Sequence, residues 1–219
     1  MRVVRSVAAL LGELLITAGL VLLLFVGWQL WWTDVVSDAD AGRAVASLQK
    51  DFSAAPASAT PAPLGDAFAI ARIPRFGADY ARPLYEGTDR DTLQRGIGHY
   101  PGTAMPGEVG NFSMAGHRTT YGKPFNRIAE LRAGDVIVIE TRDTYFVYQV
   151  TEHLIVAPSH GAVLLPVPEQ PGATPTQAAL TMTSCHPEYS SRERYVVHAL
   201  LAGTYSRAEG VPADVLKVS

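Results

Sequence analysis

The sequence predicts a mainly β fold, a closed or nearly closed barrel of about seven or eight strands with few helices, preceded by one membrane-crossing helix. Three observations carry this expectation. Residues 7–32 are apolar apart from Glu13, Thr17 and Gln29. From Leu64 onward the chain breaks into short β-branched and aromatic stretches punctuated by Gly, Pro and Asp, which is the pattern of strands and turns. Among these stretches a single short segment, "FNRIAELRAGD", reads as a helix, with Ile128 and Leu131 on one side and Gly134 as its stop.

The N-terminal run is long enough to cross a bilayer, because a hydrocarbon core of about 30 Å takes roughly 20 apolar helical residues. Residues 14–32 supply nearly that number and leave Glu13 near the headgroups. Trp28, Trp31 and Trp32 crowd the far end, where indoles favour the interface, and Arg2 and Arg5 favour a cytoplasmic start. A cleaved signal peptide would have a shorter apolar region and a small-residue cleavage site directly after it. The expected organisation is a cytoplasmic end at 1–6, a membrane helix at 7–32, an extracytoplasmic stalk at 33–63 and the main folded domain at 64–219. Within the stalk, "DADAGRAVASLQKDF" is compatible with helix, whereas "SAAPASATPAP" offers little to bury and reads as extended chain that holds the domain away from the bilayer.

The strands follow in order. "AFAIARIPRF" and "DYARPLYEG" are joined by a turn at Gly77, with Pro74 pushing the first towards an edge or bulge. "NFSMAGHR" comes next; then "DVIVIET" and "TYFVYQVTEHLIVAP" flank a tight turn at Arg142 and Asp143. Residues 159–177 hold too much Pro and Gly for a continuous strand and read as a long surface loop. "AALTMTSC" and "RYVVHALLAGTY" complete the set.

Composition narrows the function. Against 21 acidic residues stand 18 basic ones, a net charge of −3, with no basic footprint for nucleic acid. No Gly-rich phosphate loop precedes a helix, and the one cysteine has no companion at metal-ligand spacing, so no cofactor is expected. Cys185 stands at the end of a predicted strand that Pro187 stops. An unperturbed thiol is only a few per cent thiolate at neutral pH, so a nucleophilic role needs a basic or cationic neighbour. Candidates are His186, Arg192, Arg194 and His117 at the end of another strand. Adjacent residues of an extended chain face opposite ways, which makes His117 the better partner than His186.

"TMTSC" at 181–185 resembles the T-L-x-T-C signature of sortases, and "CHPEYSSRER" is similar to the C-H-P-x-x-S-A-x-x-R pattern of class E sortases. The segment "GHYPGTAMPGEVGNFSMAGHRTTYGKPF" resembles the histidine region of the same family. Met182, Ser184 and Ser191 depart from the usual residues by small changes. The resemblance implies an eight-stranded sortase barrel and a membrane-anchored cysteine transpeptidase, with His117, Cys185 and Arg194 as the catalytic set; Arg194 fits the family spacing and Arg192 falls two residues early. It further implies that a sorting signal like L-A-x-T-G or L-P-x-T-G on secreted proteins is cut between Thr and Gly through a thioacyl intermediate, with a peptidoglycan amine as acceptor. Thr183, on the strand face of Cys185, and Tyr121, after the histidine, are candidate substrate-groove residues.

Two other classes compete. An L,D-transpeptidase places S-H-G before its cysteine, but here "SHGA" at 159–162 carries alanine in that place. The second is a membrane-tethered binding module in which Cys185 is an inert filler, the ordinary role of an isolated cysteine near an apolar strand.

Overall fold

The computed structural model describes residues 2–54 and 63–216. Eight strands close into a barrel: β1 (Ala67–Arg72), β2 (Ala81–Glu86), β3 (Ile97–His99), β4 (Gly110–Ala115), β5 (Val136–Glu140), β6 (Thr144–Val156), β7 (Ala178–His186) and β8 (Glu193–Ser206), in the order β1-β2-β3-β4-β7-β8-β6-β5. Most neighbours are antiparallel; the β2–β3 and β4–β7 pairs are parallel. The parallel β4–β7 pairing is what brings strands far apart in sequence side by side.

Alternation along the strands fills the barrel. Phe112 and Met114 of β4, Leu180 and Met182 of β7, Val197 and Ala199 of β8, and Ile137 and Ile139 of β5 meet in one buried cluster. The expected helix in "FNRIAELRAGD" is shorter than the sequence suggested, a single 3-10 turn over Ile128–Glu130. Phe125, Ile128 and Leu131 are all buried in the core. Their spacing of three suits three residues per turn better than an α-helix. A helix with no counterpart in the sequence reading, α2 (Arg90–Arg95), is capped by Asp89, whose carboxylate accepts from the Asp91 and Thr92 N–H groups.

The N-terminal helix α1 runs unbroken over Arg2–Ala54. Its stretch Arg5–Trp28 has mean hydropathy 2.5 and none of it is buried in the protein, so it is long and apolar enough to cross a membrane. Beyond it the helix-compatible part of the expected stalk is helix, and it docks on the barrel. The helix continues through 33–54, and Ala41, Val45, Leu48 and Phe52 are buried on its barrel side, the last three packed with Ile70 of β1. The 4-3-4 spacing of those residues makes one helical stripe, and a stripe of that kind docks. The Pro-rich part of the expected linker lies outside the described residues.

Candidate active site

Register builds the site. In the β4–β7 ladder Ala115 lies opposite Thr183, and the Gly116 N–H continues it by donating to the Thr183 carbonyl at 3.2 Å. The Ser184 hydroxyl donates to the Gly116 carbonyl at 2.8 Å. Carried two residues past the end of β4 at Ala115, the same register sets His117 level with Cys185. On the other flank, β8 pairs antiparallel with β7 and sets Arg194 opposite Cys185. Because Leu180, Met182 and Tyr195 point into the core, alternation sends Cys185 and Arg194 to the outer surface. Gly116 points inward, where a Cβ would stand 2.8 Å from the Phe125 ring, so His117 faces out as well. Register thus sets Arg194 opposite Cys185 across β7 and β8, with His117 just past the end of the neighbouring β4.

His117 is half-buried, and its Nε2 is buried with no hydrogen-bond partner among the described residues. Burial lowers its pKa below the ordinary histidine value. The Tyr121 ring lies 5.1 Å from the imidazole, and the Tyr121 hydroxyl accepts from Gln94 Nε2 of α2 at 3.3 Å. Tyr121 adopts φ +53, which turns the chain sharply after the histidine. Cys185 is a free, partly exposed thiol at the end of β7.

The arginines divide differently from the sequence reading. Arg194 shares the row of Cys185, but its Nη1 donates to the Ser191 and Glu193 carbonyls, each at 3.0 Å. Arg192 lies exposed in the β7–β8 connection. The guanidinium that touches the cysteine is Arg118: its Nη1 donates to the Cys185 carbonyl at 3.2 Å and lies 3.4 Å from His186 Nδ1. Its Nε donates to the Asn126 carbonyl, and Asn126 Nδ2 donates back to the Arg118 carbonyl and to Glu188. Arg118 is 8% exposed. Sequence reasoning weighed the arginines near Cys185 along the chain; the usable signal was adjacency to His117 in "AGHR".

Thr183 is buried, and its hydroxyl is 2.9 Å from the hydroxyl of Tyr100, a residue sequence reading did not single out. Tyr100 comes from the β3–β4 connection and covers the Thr183 row next to the cysteine. One row further, the Thr181 hydroxyl bonds Asn111 Oδ1 at 2.7 Å and lies 2.9 Å from His198 Nδ1, while Asn111 Nδ2 donates to the Val163 and Leu165 carbonyls. This chain of bonds ties the β6–β7 loop, which contains the "SHGA" segment, to the outer face. Burial lowers the pKa of His198, whose Nε2 has no partner among the described residues.

Comparison with known proteins gives the same architecture a family. The model of the Sortase domain matches residues 71–202. Sortase SrtE1 of Streptomyces coelicolor is 41% identical over 92% of this chain, which spans 59% of that relative's length. The crystal structure of sortase E1 from the same organism, with a tripeptide in its active site, covers 69% of this chain and 98% of its own at 38% identity and TM-score 0.62. The SrtA sortase of Actinomyces oris covers 75% of this chain and 96% of its own at 40% identity and TM-score 0.68. This chain belongs to the sortase family, in its class E branch.

Proposed function

We propose that the chain is a membrane-anchored cysteine transpeptidase that cuts an L-A-x-T-G-like or L-P-x-T-G-like signal between Thr and Gly and passes the acyl part to a cell-wall amine. The observation that carries this reading is the register that sets Arg194 opposite Cys185 and ends β4, beside the same strand β7, two residues before His117. The Cys185 sulfur attacks the Thr carbonyl carbon and forms a thioester as the C–N bond breaks. His117 gives its proton to the departing glycine amine and takes one from the incoming amine, whose attack on the thioester releases the thiolate. Arg194 has a permanent charge and a fork of donors for the substrate carbonyls or the oxyanion once it turns from the Ser191 and Glu193 carbonyls. Thr183 and Tyr121 border the groove, Thr183 through Tyr100 and Tyr121 through its contact with the imidazole.

The productive form holds a single proton on the Cys185–His117 pair, as thiolate and imidazolium. Burial of His117 disfavours its charged form, so that form is a minority at neutral pH. Turnover is therefore modest. In the membrane, residues 7–32 form the span, Arg2 and Arg5 lie on the cytoplasmic side, and 64–219 act outside. Secreted proteins bearing the signal and a peptidoglycan stem or cross-bridge amine are the expected substrates.

The test incubates the full chain in detergent with L-A-x-T-G and L-P-x-T-G peptides and a primary amine, read by mass spectrometry. A thioester on Cys185 and an amide product are expected. Cleavage without transfer would reduce the reaction to peptide hydrolysis, and a Cys185→Ala chain that still joins peptide to amine would refute the assignment.

A further inference from the structure

The first turns of α1 beyond Trp32 touch the loop that follows His117. Asp34 Oδ2 is 2.7 Å from Lys123 Nζ. One helical turn later, Asp38 Oδ1 accepts from Arg82 Nη2 at 2.6 Å, and the same Nη2 reaches the Gly122 carbonyl at 3.3 Å. Positions four apart share a helix face, so both carboxylates are presented together. The backbones also meet. Gly122 has φ +68, and a Cβ placed there would stand 3.2 Å from Ser37 Cβ and 3.2 Å from Asp38 Oδ1.

The rest of that loop is occupied with the site. Tyr121 packs beside the imidazole, and the Phe125 N–H donates to the His117 carbonyl at 3.0 Å. Arg118 bonds the Cys185 carbonyl, and Asn126 bonds Glu188 in the connection after the cysteine. The loop 118–127 is therefore held by the membrane helix at its middle and by both strand ends of the site on either side. Half-exposed ion pairs add little to global stability, so their effect falls on the placement of this loop.

We propose that this stretch of α1 is a positioning element of the catalytic site: Asp34 and Asp38 hold loop 118–127, and with it His117, in register with Cys185, so that membrane helix and site move as one body. The proposal rests on the transpeptidase reading and on α1 as the span. From Trp28 to Asp38 the helix rises about 15 Å at 1.5 Å per residue. The loop is thereby kept close to the bilayer surface, and the reach of the enzyme is set by a rigid helix.

Two measurements on the full chain in lipid nanodiscs decide it. The first reads geometry alone: Ser37→Cys with Gly122→Cys, in a Cys185→Ala background that removes the native thiol. Disulfides join Cβ atoms about 3.5–4.5 Å apart, so a small adjustment suffices, and mild oxidation should give a largely intramolecular cross-link. Two thiols that stay free would overturn the docking. The second reads catalysis. Asp34→Lys should lower kcat about 10-fold with KM nearly unchanged and little shift in Tm, since displacing a reacting group by an ångström or less costs rate before binding. Combining it with Lys123→Asp should restore kcat to within about 3-fold. Unchanged kcat in Asp34→Lys, or no recovery in the exchanged pair, would overturn the positioning role. A parent chain without transfer activity would refute the transpeptidase reading and leave the cross-link to judge the docking.

Discussion

Two outer faces of one barrel are put to opposite uses. On β1, Ile70 points outward and is fully buried because the stripe Val45, Leu48 and Phe52 of α1 covers it. On β4, β7 and β8 the outward face carries a polar set, Asn111, Ser113, Thr181, Thr183 and His198, among small and aliphatic residues, and at its open end Arg194 is set opposite Cys185 with His117 just past the end of β4. The apolar face gains from being covered and contributes stability. The polar face is tied together by hydrogen bonds through Asn111, Thr181 and Thr183 and ends at the free thiol of Cys185. Mutations on the two should therefore separate, one set moving Tm and the other moving rate.

The sharpest separation comes from the sulfur. Cys185→Ala should lower transfer at least about 10³-fold, measured as amide product, while the melting temperature stays within a few degrees. A transition that moved with it would mean the thiol is core filling. On the covered face, Phe52→Ala should cost about 3 kcal/mol in denaturant unfolding, because a buried ring is replaced by a cavity. Loss of kcat larger than loss of stability there would blur the two faces. Arg118→Lys should reduce kcat about 10-fold, since an ammonium cannot make both the Asn126 and Cys185 carbonyl bonds of the fork; an unaltered kcat would reduce Arg118 to packing.

Acid gives smaller effects on both quantities. Doubly protonating the Cys185–His117 pair stops turnover, and burial lowers the pKa of His117, so the acid limb of kcat/KM should lie below about pH 6.5. A flat profile from pH 5 to 9 would contradict the paired thiolate and imidazolium. Stability follows the same sign. His117 and His198 both have folded pKa values below their unfolded ones, so the unfolded chain binds more protons, and stability present above about pH 6.5 is lost as pH falls through that value. The slope of Tm between pH 7 and 5 should be shallower in His198→Gln.

The strands were legible because each local pattern agreed with its place in the barrel: "DVIVIET" and "TYFVYQVTEHLIVAP" are strands on either side of the predicted turn. The helix through 33–54 was legible in "DADAGRAVASLQKDF", and its docking lay in the spacing of Ala41, Val45, Leu48 and Phe52, which only the barrel's apolar Ile70 turns into a contact. The contact of Arg118 with Cys185 was beyond reach. It spans 67 positions along the chain and depends on how the loop turns at Tyr121 and Gly122.

By itself the sequence determined what local chemistry determines: an apolar helix of membrane length, strands in order, and a thiol at a strand end with a histidine and arginines to choose among. Which imidazole and which guanidinium share that thiol's surroundings was decided by the parallel pairing of β4 with β7 and the folding back of β8. Such pairings are long-range, and their register depends on the whole closed sheet, so no window of residues contains them. The same holds for α1, whose acidic turn acquires a partner only when the barrel presents Arg82 and Lys123 to it.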